Sequence, residues 1–326
     1  MTNLPHTFSS NLGAALSSDN GTAKMEAIDN APLARYTTLR IGGNADRLYQ
    51  PESVEELATL IKKLSSEGAP WYVIGGGSNL LISSEGVRGN VIRTTGLTGI
   101  KILAPGLLYA EAGARLPHLA KHAAQQGLAG LEFAVGIPGT VGGAVIMNAG
   151  AHGSSISAIL ETAQILDTQT GIISEQSNQD LAFQYRRCAL DPARHVVLSA
   201  IFRLPQDKPE DIEARTRHNE EYRLKTQPIG FPNAGSTFKN PLPDKSAGFL
   251  LDQAGVKDMK VGSAAVSTLH ANFVVNLGNA TSKDVTALLK QMQQTVAEKF
   301  NIDLTPEWKT MGTFSEEELA IWRKKK

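Results

Sequence analysis

The sequence predicts an α+β protein of two or three domains, on three observations. Its 326 residues exceed the roughly 150 expected of one domain. Short β-branched or aromatic runs alternate with stretches of helical period. Hydrophobic residues make up 41% and charged residues 20%, the balance of a soluble globular chain with a real core.

Each element follows from local chemistry. Residues 1–30 are rich in Ser, Asn and Ala, with one basic residue, Lys24. They lack the basic start and apolar block of a signal peptide and the arginines of a transit peptide, so a mobile leader is expected, its end marked by Pro32. Ser53-Val-Glu-Glu56 reads as a capping box, and Leu57, Leu60, Ile61 and Leu64 then share one helical face. Trp71-Tyr-Val-Ile74 is a strand running into Gly75-Gly-Gly77. A helix is predicted over 116–126, with strands near 107–112, 160–166 and 195–203. Composition changes at Pro205–Pro209, and Asp211–Lys225 reads as a charged surface connector. Val285, Leu288, Leu289, Met292, Val296 and Phe300 form one stripe of a helix capped by Thr281 or Ser282. Glu316–Lys326 reads as a solvated helix with a basic end. Breaks near 96–99 and 205–228 divide the chain into a leader (1–30), units 31–97, 98–207 and 208–312, and a tail (313–326).

Charge and composition exclude several classes. The 32 Lys+Arg cancel 32 Asp+Glu, leaving no basic surplus for nucleic acid or an anionic membrane. No apolar run approaches the ~18 residues of a membrane span. One cysteine, Cys188, excludes an intrachain disulfide and any multi-Cys metal site, and favours a reducing compartment.

Two glycine-rich loops carry the functional signal. One is Gly75-Gly-Gly-Ser-Asn-Leu80, directly after a strand. The other is Gly136-Ile-Pro-Gly-Thr-Val-Gly-Gly-Ala-Val-Ile-Met-Asn-Ala-Gly150. An isolated Gly-Gly pair is usually a turn, but two dense loops with Ser, Thr and Asn donors suit the two phosphates of a dinucleotide. Leu80 stands where a Rossmann fingerprint needs its third glycine, and no Walker loop is present.

Thr38-Leu-Arg-Ile-Gly-Gly43, the two glycine loops, Tyr185-Arg186, Ala234-Gly-Ser-Thr-Phe-Lys-Asn-Pro241 and Pro306-Glu307 occur in one order across residues 31–312. In this the chain resembles the UDP-N-acetylenolpyruvoylglucosamine reductases, flavoenzymes of bacterial peptidoglycan synthesis. The resemblance implies two α+β subdomains forming an FAD-binding module of the vanillyl-alcohol-oxidase/PCMH type, with a C-terminal α+β domain over the nucleotide sugar. It also implies non-covalent FAD, NADPH as co-substrate, UDP-N-acetylglucosamine enolpyruvate as substrate, a cytoplasmic monomer and no metal. His152 and Cys188 are the residue types that tether flavin in the wider superfamily, but this family does not tether it.

The resemblance places FAD on Gly75, Gly76, Gly77, Ser78, Asn79 and Leu80, and on Ile137, Pro138, Gly139, Thr140, Gly142, Gly143, Ala144, Asn148 and Gly150. Hydride addition to an enol ether builds negative charge on the neighbouring carbon and its carboxylate, so cations or protonated acids and a proton donor are required. By resemblance Ser236 is the donor, while Arg186 and Glu307 polarise the carboxylate and stabilise the enolate. Lys239 and Asn240 lie close enough in sequence to ease an alkoxide on Ser236, and Tyr185 joins them in binding substrate. Glu307 acts either as a protonated acid or through a proton relay. Taken singly, Tyr185-Arg186 reads as a surface pair, Ser236 as a turn serine and Glu307 as a solvated strand residue. Arg223, Lys225 and Gln227 either meet the UDP diphosphate or form a solvated helix end.

Thr305-Pro306-Glu307-Trp308-Lys309 departs from the family's usual Glu-Pro-Glu-Val, which predicts altered local packing. The spacing from Asn240 to Glu307 resembles the shorter form of the family. A flavin oxidase of a sugar or alcohol shares the cradle but leaves Ser236–Asn240 and Glu307 without a task. A non-catalytic binding protein leaves all three reactive residues without one.

Overall fold

A computed structural model describes residues 26–323. The leader as far as residue 25 and the basic end at 324–326 lie outside the described residues.

The first unit is a four-stranded sheet. Strand β1 (Ile28–Pro32) pairs antiparallel with β2 (Asn44–Tyr49). Pairing thus begins at Ile28, inside the segment read as leader; Ala31 is fully buried and Asn44 Nδ2 donates to Asn30 Oδ1. Helix α1 (Val54–Ser66) leads to β3 (Trp71–Ile74), the separate β4 (Leu80–Ile82) and β5 (Val87–Arg93), giving the order β1-β2-β5-β3. The Ser53 hydroxyl accepts the Glu56 N–H as predicted, but the Glu56 carboxylate accepts from Glu52 N–H, one residue before the expected partner. The buried face of α1 packs on Ile92 and Leu97 and also on Leu166, Val196 and Leu198 of the next sheet. Each such aliphatic side chain contributes roughly 1.5–3 kcal/mol on burial, so α1 cements the two sheets.

The second unit holds β6 (Ile100–Ala104), β7 (Leu107–Glu111), α2 (Leu116–Gln125), α3 (Val141–Met147), the hairpin β8 (Gly150–Ala151) and β9 (Ser154–Ser155), β10 (Leu160–Asp167), β11 (Ile173–Ser177) and β12 (His195–Arg203). Its antiparallel sheet runs β11-β10-β12-β7-β6, and the nonpolar faces of α2 and α3 join its core. Part of the second glycine segment is therefore helical rather than loop. Gly142 makes this possible: its N–H donates to Ala112 O, and a methyl there would stand 3.1 Å from Ala112 Cβ.

Helix α4 (Pro209–Thr226) buries only Ile212. Arg215 pairs with Glu132 and Asp207, and Asn219 Nδ2 donates to Glu132 O, so its contacts lie with the second unit although composition drew the boundary at 208. The third unit has α5 (Ala247–Ala254), β13 (Lys260–Val261), β14 (Ala264–Val266), β15 (Val274–Asn276) and α6 (Ser282–Phe300), capped by Thr281 through a box with Asp284. Then β16 (Lys309–Met311) returns to the first unit and pairs parallel with β4. The tail forms α7 (Glu316–Leu319) and one further turn, and it is not simply solvated: Ile321 is buried in the third core and Trp322 packs against it.

Candidate active site

The Tyr185-Arg186 loop is placed by Asn148. Its Nδ2 donates to Gln184 O at 3.1 Å and its Oδ1 accepts Ser157 N–H at 3.0 Å. Arg186 takes a left-handed φ of 58°, strained for a long side chain. Its Nε donates to Glu307 Oε1 at 2.7 Å and its Nη2 to Gly150 O at 3.1 Å. The two side chains are 21% and 13% exposed, so neither is the surface residue its local sequence suggests.

Glu307 sits on an extended segment tied to the Ser236 loop. Its N–H donates to Thr237 O at 2.8 Å, and Lys239 N–H donates to Thr305 O at 2.9 Å. Ser236 immediately precedes this pairing; its hydroxyl makes no hydrogen bond among the described residues. Asn79, from the first glycine loop, donates through Nδ2 to Glu307 O at 3.4 Å. Tyr185 stacks on the Arg186 guanidinium and accepts Asn240 N–H at 3.4 Å, while Asn240 Oδ1 accepts Ala247 N–H at the start of α5. Chain segments 50 to 230 residues apart thus meet around one carboxyl.

Burial pushes the Glu307 carboxyl above its ordinary range, against the opposing pull of Arg186, Lys239 and Lys309. Burial lowers Lys239, helped by Lys309, Arg187 and Arg186 and opposed by Glu307. Several cations therefore surround one reluctant anion, a balance suited to an acidic substrate.

The two glycine loops touch. Ser78 Oγ donates to Pro138 O at 2.7 Å, and a methyl on Gly76 would lie 3.4 Å from Gly139 Cα. A methyl on Gly75 would collide with Thr140 Oγ1, a buried oxygen with no partner among the described residues. The N–H groups of Gly76, Gly77, Ser78 and Asn79 likewise find no acceptor among the described residues. Successive unspent N–H groups beside an orphaned hydroxyl fit the phosphates of FAD.

Several predicted cofactor residues also make scaffold contacts. Gly77, at φ 64°, has no room for a methyl beside Tyr36 O, and Gly142 has spent its N–H on Ala112. Ala144 and Ile137 pack in or against the second core; Gly150 closes on Ser155; Asn148 has committed its carboxamide. Leu80 starts β4. Gly143 remains open, with only Thr140 Oγ1 near, at 3.8 Å.

Arg223 lies against Gly136 of the second loop, its Nε buried without a partner among the described residues. Lys225 points elsewhere: its side chain is 78% exposed and faces Glu221 at 3.9 Å, a solvated helix end. Gln227 donates its N–H to Arg223 O and ends the helix. Burial raises the Cys188 thiol, which suits an inert side chain. No cluster of three metal-ligating side chains exists among the described residues.

Two positioning residues escaped sequence reasoning. Asn272 is buried, accepts Phe238 N–H at Oδ1 and donates from Nδ2 to Phe238 O, both at 2.9 Å. Asn276 Nδ2 donates to Leu39 O at 3.1 Å, joining the third unit to the first. The signal available was two asparagines in the otherwise apolar run Ala271–Asn276.

Known proteins are similar to this chain in sequence and fold. The profile of an FAD binding domain matches residues 45–175, and that of the UDP-N-acetylenolpyruvoylglucosamine reductase C-terminal domain matches 227–311. A UDP-N-acetylenolpyruvoylglucosamine reductase of Synechococcus sp. (strain RCC307) is 44% identical over 89% of this chain and 96% of its own length. One of Bacillus licheniformis is 43% identical over 88% and 94%. The crystal structure of the Thermus caldophilus reductase superposes with a TM-score of 0.74 at 35% identity, covering 88% of this chain and 99% of that one. The fold is α+β, an FAD-binding module joined to the reductase C-terminal domain. With 44% identity along nearly the whole of a relative, the chain belongs to the UDP-N-acetylenolpyruvoylglucosamine reductase family.

Proposed function

We propose that this enzyme converts UDP-N-acetylglucosamine enolpyruvate to UDP-N-acetylmuramate, using NADPH and non-covalently held FAD, as a cytoplasmic monomer. The observation that carries this reading is the partly buried Arg186–Glu307 pair, hydrogen-bonded into the Ser236 loop and the first glycine loop. FAD, when bound, supplies hydride transfer to the terminal carbon of the enol ether. Gly76, Ser78, Asn79, Gly139, Thr140 and Gly143 hold its phosphates.

Arg186 takes the substrate carboxylate in its planar fork. That incoming anion adds to the burial already opposing ionisation of Glu307 and favours the protonated acid. The neutral acid then donates to the oxygen on which charge develops. Ser236 passes its proton to the neighbouring carbon, Lys239 offsets the resulting alkoxide, and solvent restores the hydroxyl. Arg223 meets the diphosphate of the nucleotide sugar.

Purified protein should be yellow, and acid should release FAD into the supernatant. NADPH oxidation should accelerate when the enolpyruvyl substrate is added. Colourless protein that cannot rebind FAD, or NADPH consumption indifferent to substrate, would sink the reading. Flavin retained on denatured polypeptide would point to a tether instead.

A further inference from the structure

We propose that the segment Ser315–Trp322 positions Glu307, with Trp322 as its working residue. The proposal rests on Glu307 being the acid of the reaction.

The segment 304–308 is held at nearly every peptide. Gln293 Nε2 donates to Leu304 O at 2.8 Å and also to Ile321 O at 3.0 Å, so one carboxamide ties this segment to the tail. Thr305 O accepts from Lys239, Glu307 N–H donates to Thr237, and Glu307 O accepts from Asn79. The next carbonyl, Trp308 O, accepts the Trp322 indole N–H at 2.8 Å.

Trp308 itself is fully buried, yet its own indole N–H has no partner among the described residues. It is held by shape alone, and the bond from Trp322 supplies a directional constraint on its peptide. The tail is fixed in turn. Ser315 and Glu318 form a capping box, Lys290 pairs with Glu317 at 2.9 Å, and Ile321 is buried in the third core. These residues lie beyond 227–311, where the reductase C-terminal profile matches. The departure at Trp308 and the docking of Trp322 are thus one packing unit. If that peptide tilts, the Glu307 carboxyl leaves its 2.7 Å contact with Arg186 and water gains access to it.

The test uses holoenzyme carrying Trp322→Phe, Glu307→Gln or both, followed by stopped-flow absorbance. Trp322→Phe keeps an aromatic ring and removes the N–H. Flavin content and flavin reduction by NADPH should stay at parental levels. Reoxidation by the enolpyruvyl substrate should slow about 3- to 10-fold, the scale of one lost hydrogen bond. The basic limb of its pH profile should move toward acid, because water reaching Glu307 relieves the burial that raises it. The double variant should be no slower than Glu307→Gln, since Trp322 acts through that residue.

Unchanged reoxidation with an unmoved pH limb in Trp322→Phe would overturn the proposal. So would a multiplicative loss in the double variant, or equal slowing of both half-reactions. Glu307→Gln reoxidising at the parental rate would remove the acid assignment itself, a separate failure. If Trp322→Phe loses flavin, Gln293→Met releases the same segment from the other side and must give the same selective loss.

Discussion

Asn272→Ala tests whether the Ser236 loop is held by one side chain. Asn272 is 3% exposed and Phe238 1%, so removing the carboxamide leaves the N–H and C=O of Phe238 both buried and unpaired. Each orphan costs about 1–3 kcal/mol, giving roughly 2–6 kcal/mol for the pair before any cavity is counted. The bond from Thr237 N–H to Asn272 O survives, because it uses the main chain. The loop should therefore loosen rather than detach. Urea unfolding should show a lower midpoint at unchanged m, since the surface exposed on unfolding hardly changes. In stopped flow, substrate-driven reoxidation should slow more than reduction by NADPH, because Thr237 and Lys239 also carry the pairing to Glu307. A variant within about 0.5 kcal/mol of the parent and with both half-reactions intact would refute this.

Further outcomes are expected. Gly77→Ala should destabilise the fold by at least about 1–2 kcal/mol from its left-handed φ alone, with the collision at Tyr36 O in addition. Gly76→Ala should leave the unfolding midpoint nearly unchanged and weaken FAD binding; equal loss of stability in both would show that Gly76 is another packing glycine. Ser236→Ala should bleach normally with NADPH and recover about 10²–10⁴-fold more slowly with substrate; recovery at the parental rate would assign the proton to water or another residue. Reoxidation should fall as pH rises through the raised value of Glu307, and Glu307→Gln should abolish that limb. The same shift gives stability that is fully present below an ordinary glutamate's pKa and is lost as pH rises through the raised one, so unfolding of the apoprotein should ease across that window unless Glu307 is replaced.

Helix α6 was readable because its apolar stripe, Thr281 cap and 19-residue length agree with one another. Helix α3 was not: each glycine in it costs about 1 kcal/mol of local propensity, and only the fit of Gly142 against Ala112 repays it. The order of motifs pointed to Arg186, Ser236 and Glu307. It could not distinguish Gly76, where a methyl would make ordinary contact with Gly139, from Gly77, where it would collide with Tyr36 O, since both are simply glycine until the chain is folded. Asn272 and Trp322 act across 34 and 14 residues through single hydrogen bonds or pairs of them, and no periodicity encodes such contacts. Local pattern around Arg223 and Lys225 was equally silent. One lies under the second loop and the other in solvent, two residues apart on the same helix.

The parallel pairing of β16 with β4 has a consequence for biosynthesis. Residues 80–82 leave the ribosome long before residues 309–311, so β4 waits for its partner while more than two hundred residues are made. Until then the first glycine loop, which ends where β4 begins, lacks the strand that continues from Glu307. The first glycine loop and the segment that carries Glu307 are thus brought together by the same late event. A nascent chain interrupted before residue 307 carries both glycine loops but lacks the carboxyl that Arg186 pairs with in the finished fold.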